Sequence, residues 1–157
     1  HFFYMPASKR YFSKQDQTKI AQAVKEAEHG HVGEIQVVIE GYIPSNVAYR
    51  QNTRLRARQL FAELGVWDTA YNSGVLLYLN LCEQVVEIVI DRGIDQATEQ
   101  QEWQAICDHM IQELKAKNYT QGVIKGVIEI GQILDQFYDD QIEDLENELG
   151  NAPIILN

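Results

Sequence analysis

The chain has 157 residues, which is a typical length for a single domain. Its apolar content of 45% is sufficient for a hydrophobic core and argues against global disorder. The formal net charge of −10 makes phosphate backbones and anionic membrane surfaces poor partners, so no binding of nucleic acid is expected.

The sequence also bears on membrane insertion, disulfides and location. No apolar run approaches the roughly 20 residues needed to cross a bilayer, so we expect a soluble protein without direct membrane insertion. Cys82 and Cys107 have no metal-type spacing and indicate no disulfide framework. No secretory leader is recognisable, which predicts a cytoplasmic location. A periplasmic one stays open if an N-terminal segment has been removed.

The first elements are an aromatic arm, a helix and a strand. Residues 1–12 are rich in aromatic side chains that are costly to leave in water, so this arm is expected to dock onto the rest of the molecule. Ser13 and Asp16 resemble a capping box and predict the start of a helix. Residues 34–40 then alternate in strand fashion, with Ile35, Val37 and Ile39 on one face.

The middle of the chain predicts a helix followed by a hairpin. Ala57, Leu60, Phe61 and Leu64 share one helical face, and Gly65 is the expected end of that helix. Residues 75–81 and 85–90 are two apolar runs. Because only three residues separate them, the pair is most simply an antiparallel hairpin.

Two further helices are predicted after the hairpin. Residues 98–101 read as a capping box, and the helix behind it carries an apolar stripe of Trp103, Ile106, Cys107, Met110, Ile111 and Leu114. Thr120 is predicted to cap a fourth helix whose buried face consists of Ile124, Val127, Ile128, Gly131 and Leu134. Residues 138–157 are predicted to form an acidic tail or a short helix.

These elements predict an α/β domain. Its small mixed sheet has three to four strands and carries helices on both faces. The predicted organisation is an N-terminal arm over residues 1–12, one domain over residues 13–137, and a C-terminal tail over residues 138–157.

Short motifs in order along the chain resemble the TPM domain family. They are Glu28-His29-Gly30-His31-Val32-Gly33-Glu34-Ile35, Arg56-Ala57 with Leu60-Phe61, Val66-Trp67-Asp68-Thr69 with Asn72-Ser73-Gly74-Val75-Leu76, Glu87-Ile88-Val89 with Asp91-Arg92-Gly93-Ile94, and Trp103 with Ile106-Cys107 and Gly122. That family includes thylakoid-lumen proteins tied to photosystem II repair, a bacterial group, and an accessory protein of nematode acetylcholine receptors. The resemblance implies an α-β-α sandwich. It also implies either acid phosphatase activity, as described for some plant members, or protein contacts near membranes.

The candidate site lies where predicted strands meet loops, at Glu34, Asp68, Thr69, Asn72, Asp91 and Arg92. In an antiparallel hairpin the start of one strand lies beside the end of its partner. Asn72 and Gly74 are therefore predicted to lie close to Asp91 and Arg92. The hairpin alone does not fix where Glu34 lies.

If these residues converge, their carboxylate, amide and hydroxyl oxygens suit calcium or magnesium better than zinc. The predicted metal ligands are Glu34, Asp68, Asn72 and Asp91. The predicted catalytic residues are Asp68, Asp91 and Arg92, with the cation polarising a phosphate ester for attack by water. The predicted binding residues are Thr69, Asn72, Arg54 and Arg56.

A structural role for the same residues is the alternative. Asp68 and Asn72 would then cap turns, and Asp91 would pair with Arg56 or Arg92 to fix its loop.

Two further patterns have a functional and a structural interpretation. Arg50, Arg54 and Arg58 recur at four-residue steps and could grip a phosphate, dock an acidic partner, or form a solvated helix edge that pairs with Glu. Glu28 and His31 have the spacing of a metal-binding pair, but a His near a helix end is the simpler interpretation.

The sequence leaves three functional hypotheses. The favoured one is a protein-interaction or assembly module without strong catalysis, with an unidentified protein partner and an association with a membrane complex left open. The second is a weak acid phosphatase assisted by a divalent cation. The third is a calcium-responsive binding module without chemistry of its own.

Overall fold

The computed structural model describes residues 3–4, 11–28, 33–41, 52–69 and 72–149. In chain order the elements are β1 (Phe3–Tyr4), α1 (Lys14–Glu28), β2 (Glu34–Glu40), α2 (Thr53–Glu63), β3 (Gly74–Asn80), β4 (Val85–Ile90), the short helix α3 (Arg92–Asp95), α4 (Gln100–Lys115) and α5 (Tyr119–Leu149). The α/β class is confirmed. The strand predicted over residues 34–40 has the predicted bounds.

The strands form one mixed sheet in the order β1-β2-β3-β4. β1, β2 and β3 are parallel, and β4 is antiparallel to β3. The predicted hairpin is confirmed, because Val75 lies opposite Ile90 and Asn80 lies opposite Val85. Part of the aromatic arm docks as β1, where Phe3 is aligned with Val37. The fourth strand thus comes from the arm.

Helices cover both faces of the sheet, as the predicted sandwich requires. On one face, α1, α4 and α5 pack against the alternate strand residues that include Ile35, Val37 and Ile39. On the other face, α2 packs against residues such as Val38 and Leu76. Every residue of β3 is buried, because helices cover this central strand from both sides.

The helix starts follow the predicted chemistry in one case and depart from it in another. Ser13 and Asp16 form the predicted reciprocal capping box, with two hydrogen bonds of 3.0 Å. The capping box predicted over residues 98–101 was wrong, because Glu99 and Glu102 form it instead. The Thr98 hydroxyl is engaged elsewhere: it donates to the Ile94 carbonyl and accepts from Trp103 Nε1.

The last helix differs most from its prediction. It begins at Tyr119, so Thr120 lies inside its first turn, and it continues through the predicted boundary at residue 138 to Leu149. Of the predicted buried face, Val127, Gly131 and Leu134 are buried and Ile124 is partly buried, whereas Ile128 is 48% exposed. The buried surface also includes Val123, Ile130 and Phe137, which the prediction left out. The physical reason is that α5 packs against both α1 and α4, so its contact surface is wider than a single stripe.

Within the described residues, no helix combines the length and apolar character of a membrane-spanning segment. Cys82 is exposed, Cys107 is buried, and both are free thiols. The division of the chain into arm, domain and tail stays a prediction, as does the cytoplasmic location.

Candidate functional site

One end of the sheet gathers several of the predicted site residues. Glu34 is aligned with Gly74 in the parallel pair, and the Glu34 N–H donates to the Ser73 carbonyl at 3.2 Å. The Asp91 N–H donates to the Gly74 carbonyl at 2.9 Å. The starts of β2 and β3 and the end of β4 therefore meet. We call the polar residues at this place the rim: Glu34, Thr69, Asn72, Asp91 and Arg92.

The loop that leads into β3 is fixed by its own backbone. The Ser73 N–H donates to Thr69 Oγ1 at 2.8 Å. Asn72 has a φ of 51°, in the left-handed region that Asn tolerates better than most residues. A Cβ at Gly74 would lie 2.0 Å from the Val66 carbonyl oxygen. Asn72 and Gly74 thus have structural reasons to occupy these positions, whatever their role at the rim.

Asp91 joins the end of β4 to the short helix α3. Its Oδ1 accepts a hydrogen bond of 2.7 Å from the Arg92 N–H, so the carboxylate caps α3. Its Oδ2 is buried and has no hydrogen-bond partner among the described residues. The expected pairing of Asp91 with the Arg56 side chain is wrong, and its contact with Arg92 is made through the backbone. The buried Oδ2 is the one unexplained polar atom at the rim.

Asp68 lies in the turn before the rim. Its N–H donates to the Gly65 carbonyl at 3.0 Å, and its side chain is exposed. Gly65 itself ends α2 with a φ of +69°, as the sequence predicted for a helix stop. Asp68 is therefore close to the rim along the chain, and its role as a catalytic residue or metal ligand stays a prediction.

Arg56 lies at the opposite end of the sheet. Its guanidinium makes a bidentate ion pair with Glu40, with Nε to Oε1 at 3.0 Å and Nη2 to Oε2 at 2.7 Å. Glu40 closes β2 while Glu34 opens it, so the two carboxylates are about 20 Å apart along the strand. The predicted role of Arg56 in binding a substrate at the rim therefore has no support from its position.

A buried polar network surrounds this ion pair. The Tyr78 hydroxyl donates to Glu40 Oε1 at 2.8 Å, and Asn80 Nδ2 donates to the Tyr78 oxygen at 3.1 Å. Burial raises the pKa of Tyr78 well above its usual value, so it stays a neutral donor. The hydrogen bond to Glu40 raises the pKa of Arg56. The sequence did not identify this network. The one available signal was that Glu40 and Asn80 end apolar strands.

Arg54 lies at a third place, beside the outer edge of β4. Its Nη1 donates to the Ile88 carbonyl and lies 3.6 Å from Glu87 Oε2. Arg58 is exposed one turn further along α2. Arg50, the third member of the predicted arginine stripe, and His31, the partner of Glu28 in the metal-type spacing, lie outside the described residues. Glu28 accepts a 2.7 Å hydrogen bond from the Ile35 N–H, which ties the end of α1 to β2.

A groove runs along this outer edge of β4, between α2 and α4. We call it the β4-edge groove. Its volume is about 530 Å³, and it is lined by Arg54, Arg58, Val85, Val86, Glu87, Ile88, Gln100, Trp103, Gln104, Cys107 and Ile111.

A metal site at the rim would rely on mixed oxygen ligands. Among the described residues, no group of three or more His, Cys, Asp and Glu side chains is arranged to hold a metal ion. The oxygens available at the rim come from Glu34, Asp91, Asn72 and Thr69, a set that includes two carboxylates. Such a set fits a hard cation with weak affinity, since calcium affinity rises with the number of charged ligands.

Comparisons with known proteins agree on the fold. A sequence model of the TPM domain matches residues 7–133. The solution structure of the BA42 protein from the psychrophilic bacterium Bizionia argentinensis superposes with a TM-score of 0.72 at 24% identity, over 81% of this chain and 83% of that one. An N-terminal domain from P. gingivalis gives 0.71 at 22% identity, over 87% and 83% of the two chains.

A third solution structure extends the same comparison. The N-terminal domain of a Corynebacterium glutamicum protein gives a TM-score of 0.63 at 14% identity, over 84% of this chain and 78% of that one. No protein of curated function matched the chain. At these identities the solved structures show a shared fold.

Proposed function

The chain belongs to the TPM domain family, and we propose that it acts as a protein-interaction and assembly module without strong catalysis of its own. The observation that carries this proposal is the outer edge of β4, which lies in the β4-edge groove. Within the described part of the chain, β4 ends the sheet and has no strand on its second side. Unpaired strand edges are common attachment points for other chains.

The positions of the arginines favour binding over phosphoryl chemistry. A phosphatase centre at the rim needs cationic groups beside its carboxylates to stabilise the charge on phosphate. Arg56 is instead paired with Glu40 at the far end of the sheet, and Arg54 is engaged by Ile88 and Glu87. Among the described residues, Arg92 is then the one predicted arginine that belongs to the rim. For this reason, a weak phosphatase is less well supported than the interaction function.

Capture of a partner tests the interaction function. The biotinylated chain is incubated with lysate from its source organism, and the captured proteins are identified and then purified. We expect one protein to be recovered reproducibly, to be displaced by excess unlabelled chain, and to bind the chain again in purified form. The heat-unfolded chain serves as the control. Recovery of no displaceable protein, or equal recovery by the unfolded chain, contradicts the proposal.

A second candidate function, calcium-responsive binding, is favoured by the buried Asp91 Oδ2. A carboxylate oxygen without a hydrogen-bond partner can be satisfied by a hard cation, and Glu34 and Asn72 supply further oxygens at the same end of the sheet. Magnesium is the alternative ion. The cation would join β2, the β3 loop and α3 and so stabilise the native state.

Thermal unfolding with and without millimolar calcium tests this candidate. A concentration tenfold above the dissociation constant raises the free energy of unfolding by about 1.4 kcal/mol. We expect Asp91→Asn to lose the rise in melting temperature and Asp95→Asn, an exposed neighbour in α3, to keep it. A wild-type chain whose melting temperature does not change in calcium or magnesium would end this reading.

A further inference from the structure

The direction of the backbone groups along β4 follows from its pairing with β3. The Asp91 N–H bonds to the Gly74 carbonyl directly opposite, and hydrogen-bonded pairs alternate along an antiparallel ladder. The pairs formed by Val86, Ile88 and Ile90 are therefore the non-bonded ones. Their N–H and C=O groups point away from β3, and two of these residues, Val86 and Ile88, line the β4-edge groove.

Arg54 independently confirms this direction. Its Nη1 donates to the Ile88 carbonyl, so a donor from outside the sheet already occupies the place that a neighbouring strand's N–H would take. The outward groups of Val86 have no hydrogen-bond partner among the described residues. A charged side chain over an edge strand is a common protection against unwanted pairing. A segment that pairs with the whole of β4 therefore has to displace Arg54 from the Ile88 carbonyl.

The two walls of the groove differ in character. On the α2 side, Arg54 and Arg58 bring two positive charges, against one negative charge from Glu87. This excess is local, because the whole chain carries a net charge of −10. Arg58 is exposed, and no acidic partner for it is found among the described residues. On the α4 side the lining is uncharged, with Gln100, Gln104 and the partly buried Ile111.

We propose that the β4-edge groove binds an extended acidic segment of a partner protein, which adds a strand to β4 and places carboxylates against Arg58. This inference rests on the proposed interaction function and names the partner's chemistry. Side chains of a strand alternate between its two faces. The bound segment therefore carries acidic residues toward α2 and apolar residues toward α4, over about six residues, the length of β4.

Titration of the ¹⁵N-labelled chain with designed peptides tests this proposal. The probe is a pool of capped hexapeptides with Asp or Glu at alternate positions and Val, Ile or Leu between them. Two control pools carry Lys in place of the acids, or carry N-methyl groups at every backbone nitrogen. We expect saturable shifts of the Val86 and Ile88 amide signals below about 1 mM peptide, and at least tenfold weaker binding of both controls.

Matched charge variants identify the wall that selects the peptide. Arg58→Glu should weaken binding of the acidic pool at least about tenfold. Lys14→Glu makes the same change in net charge at an exposed position on α1 and should leave binding unchanged. A circular dichroism spectrum that matches the wild type shows that each variant is folded. Because both residues are exposed, we expect no loss of structure.

Several outcomes would overturn the groove as the docking site. These are equal binding of the acidic and Lys pools, amide shifts away from β4, no binding at about 1 mM, or concentration-dependent dimerisation through β4 that excludes peptide. Failure of this inference is separable from failure of the interaction function. A purified partner that binds wild type and Arg58→Glu equally would keep the interaction and remove this groove from it.

Discussion

At the scale of single residues, the ion pair between Arg56 and Glu40 is held by several hydrogen bonds. Both carboxylate oxygens are matched by guanidinium nitrogens, and the Tyr78 hydroxyl adds a third donor to Glu40. A buried carboxylate is costly unless it is paired and hydrogen-bonded in this way. The pair attaches α2 to the end of β2.

Removing the cation from this pair should destabilise the fold strongly. Arg56→Leu leaves Glu40 buried without a counter-charge, and we expect a loss of about 3–5 kcal/mol in the free energy of unfolding. Arg58 lies two residues further along the same helix and is exposed. Arg58→Leu should therefore cost under about 1 kcal/mol in the free energy of unfolding. Urea denaturation at neutral pH measures both. Equal losses for the two variants would show that the buried ion pair contributes no more to stability than an exposed arginine.

The buried thiol of Cys107 gives the stability a dependence on alkaline pH. Burial, followed by the charges of Glu87 and Asp108, raises the pKa of Cys107 from 9.0 to about 12. Above pH 9 the unfolded chain loses this proton while the native chain retains it. The unfolded state then binds fewer protons, so stability falls as the pH rises toward about 12.

Cys107→Ala should make the free energy of unfolding decrease less steeply with pH above 9. The contribution of one such group reaches about 1.4 kcal/mol per pH unit, and it is fully present below the unfolded pKa. The measurement is the slope of the unfolding free energy against pH between 9 and 11, which separates the titration from the packing loss caused by the smaller side chain. Burial also raises the pKa of Tyr78, so Tyr78 lowers the free energy of unfolding at alkaline pH in the wild type and in the variant alike. Cys82→Ala, at an exposed thiol, is the control, and a Cys107→Ala slope equal to it would refute the assignment.

At the scale of elements, α5 shows what a one-dimensional pattern leaves open. Helical spacing correctly predicted that Val127 and Leu134 face inward, but it placed Ile128 there as well. The helix touches α1 on one side and α4 on the other, and small residues decide how closely it approaches each. A Cβ on Gly126 would meet the Met110 side chain, and one on Gly131 would meet Ala27.

These two glycines should respond differently to a methyl group. The Cβ of Gly131→Ala would lie 2.8 Å from Ala27 Cβ and 3.1 Å from its Cα, so the two helices must separate. We expect a loss of about 1–3 kcal/mol despite the better helix propensity of Ala. Gly126→Ala meets the flexible Met110 side chain and should cost less. Urea denaturation compares them, and Ala27→Gly should partly rescue Gly131→Ala. A larger loss for Gly126→Ala would contradict this account.

The elements that the sequence predicted well are those whose signal is local. The alternation over β2 and the short link between β3 and β4 each specify their structure within a few residues. The cap of α4 was missed by one residue, because Thr98 and Glu99 are both plausible caps and a contact with Trp103 decides between them. The pairing of Glu40 with Arg56 could not be predicted, because it depends on where α2 crosses the sheet.

The candidate site also has one part that local sequence signals predict and another that depends on tertiary structure. The proximity of Gly74 to Asp91 follows from the hairpin, and it is observed. The position of Glu34 beside them depends on the parallel pairing of β2 with β3, which no short-range signal encodes. The arginines were predicted to bind a phosphate from their spacing along α2. Arg54 and Arg56 are two positions apart on that helix and contact different places, Ile88 and Glu40.

At the scale of the whole molecule, the two ends of the sheet have different chemistry. In open α/β sheets, ligands usually bind outside the carboxyl ends of parallel strands. At that end of β2 and β3, Glu40, Tyr78 and Asn80 are buried and bonded to one another. Glu34 and Asn72, which are exposed, lie at the opposite end. The two carboxylates of the rim therefore lack the arginines on α2.

This separation predicts the outcome of a phosphatase assay. With p-nitrophenyl phosphate in calcium or magnesium, we expect the pure chain to show no turnover above background, and Asp91→Asn to behave identically. The reason is that binding and polarising a phosphate ester needs positive charge beside the carboxylates, and among the described arginines Arg92 alone is adjacent to Asp91. Arg92→Gln is the matched variant. Turnover that exceeds background and falls at least tenfold in both Asp91→Asn and Arg92→Gln would establish the rim as a catalytic centre, because an impurity would not respond to either substitution.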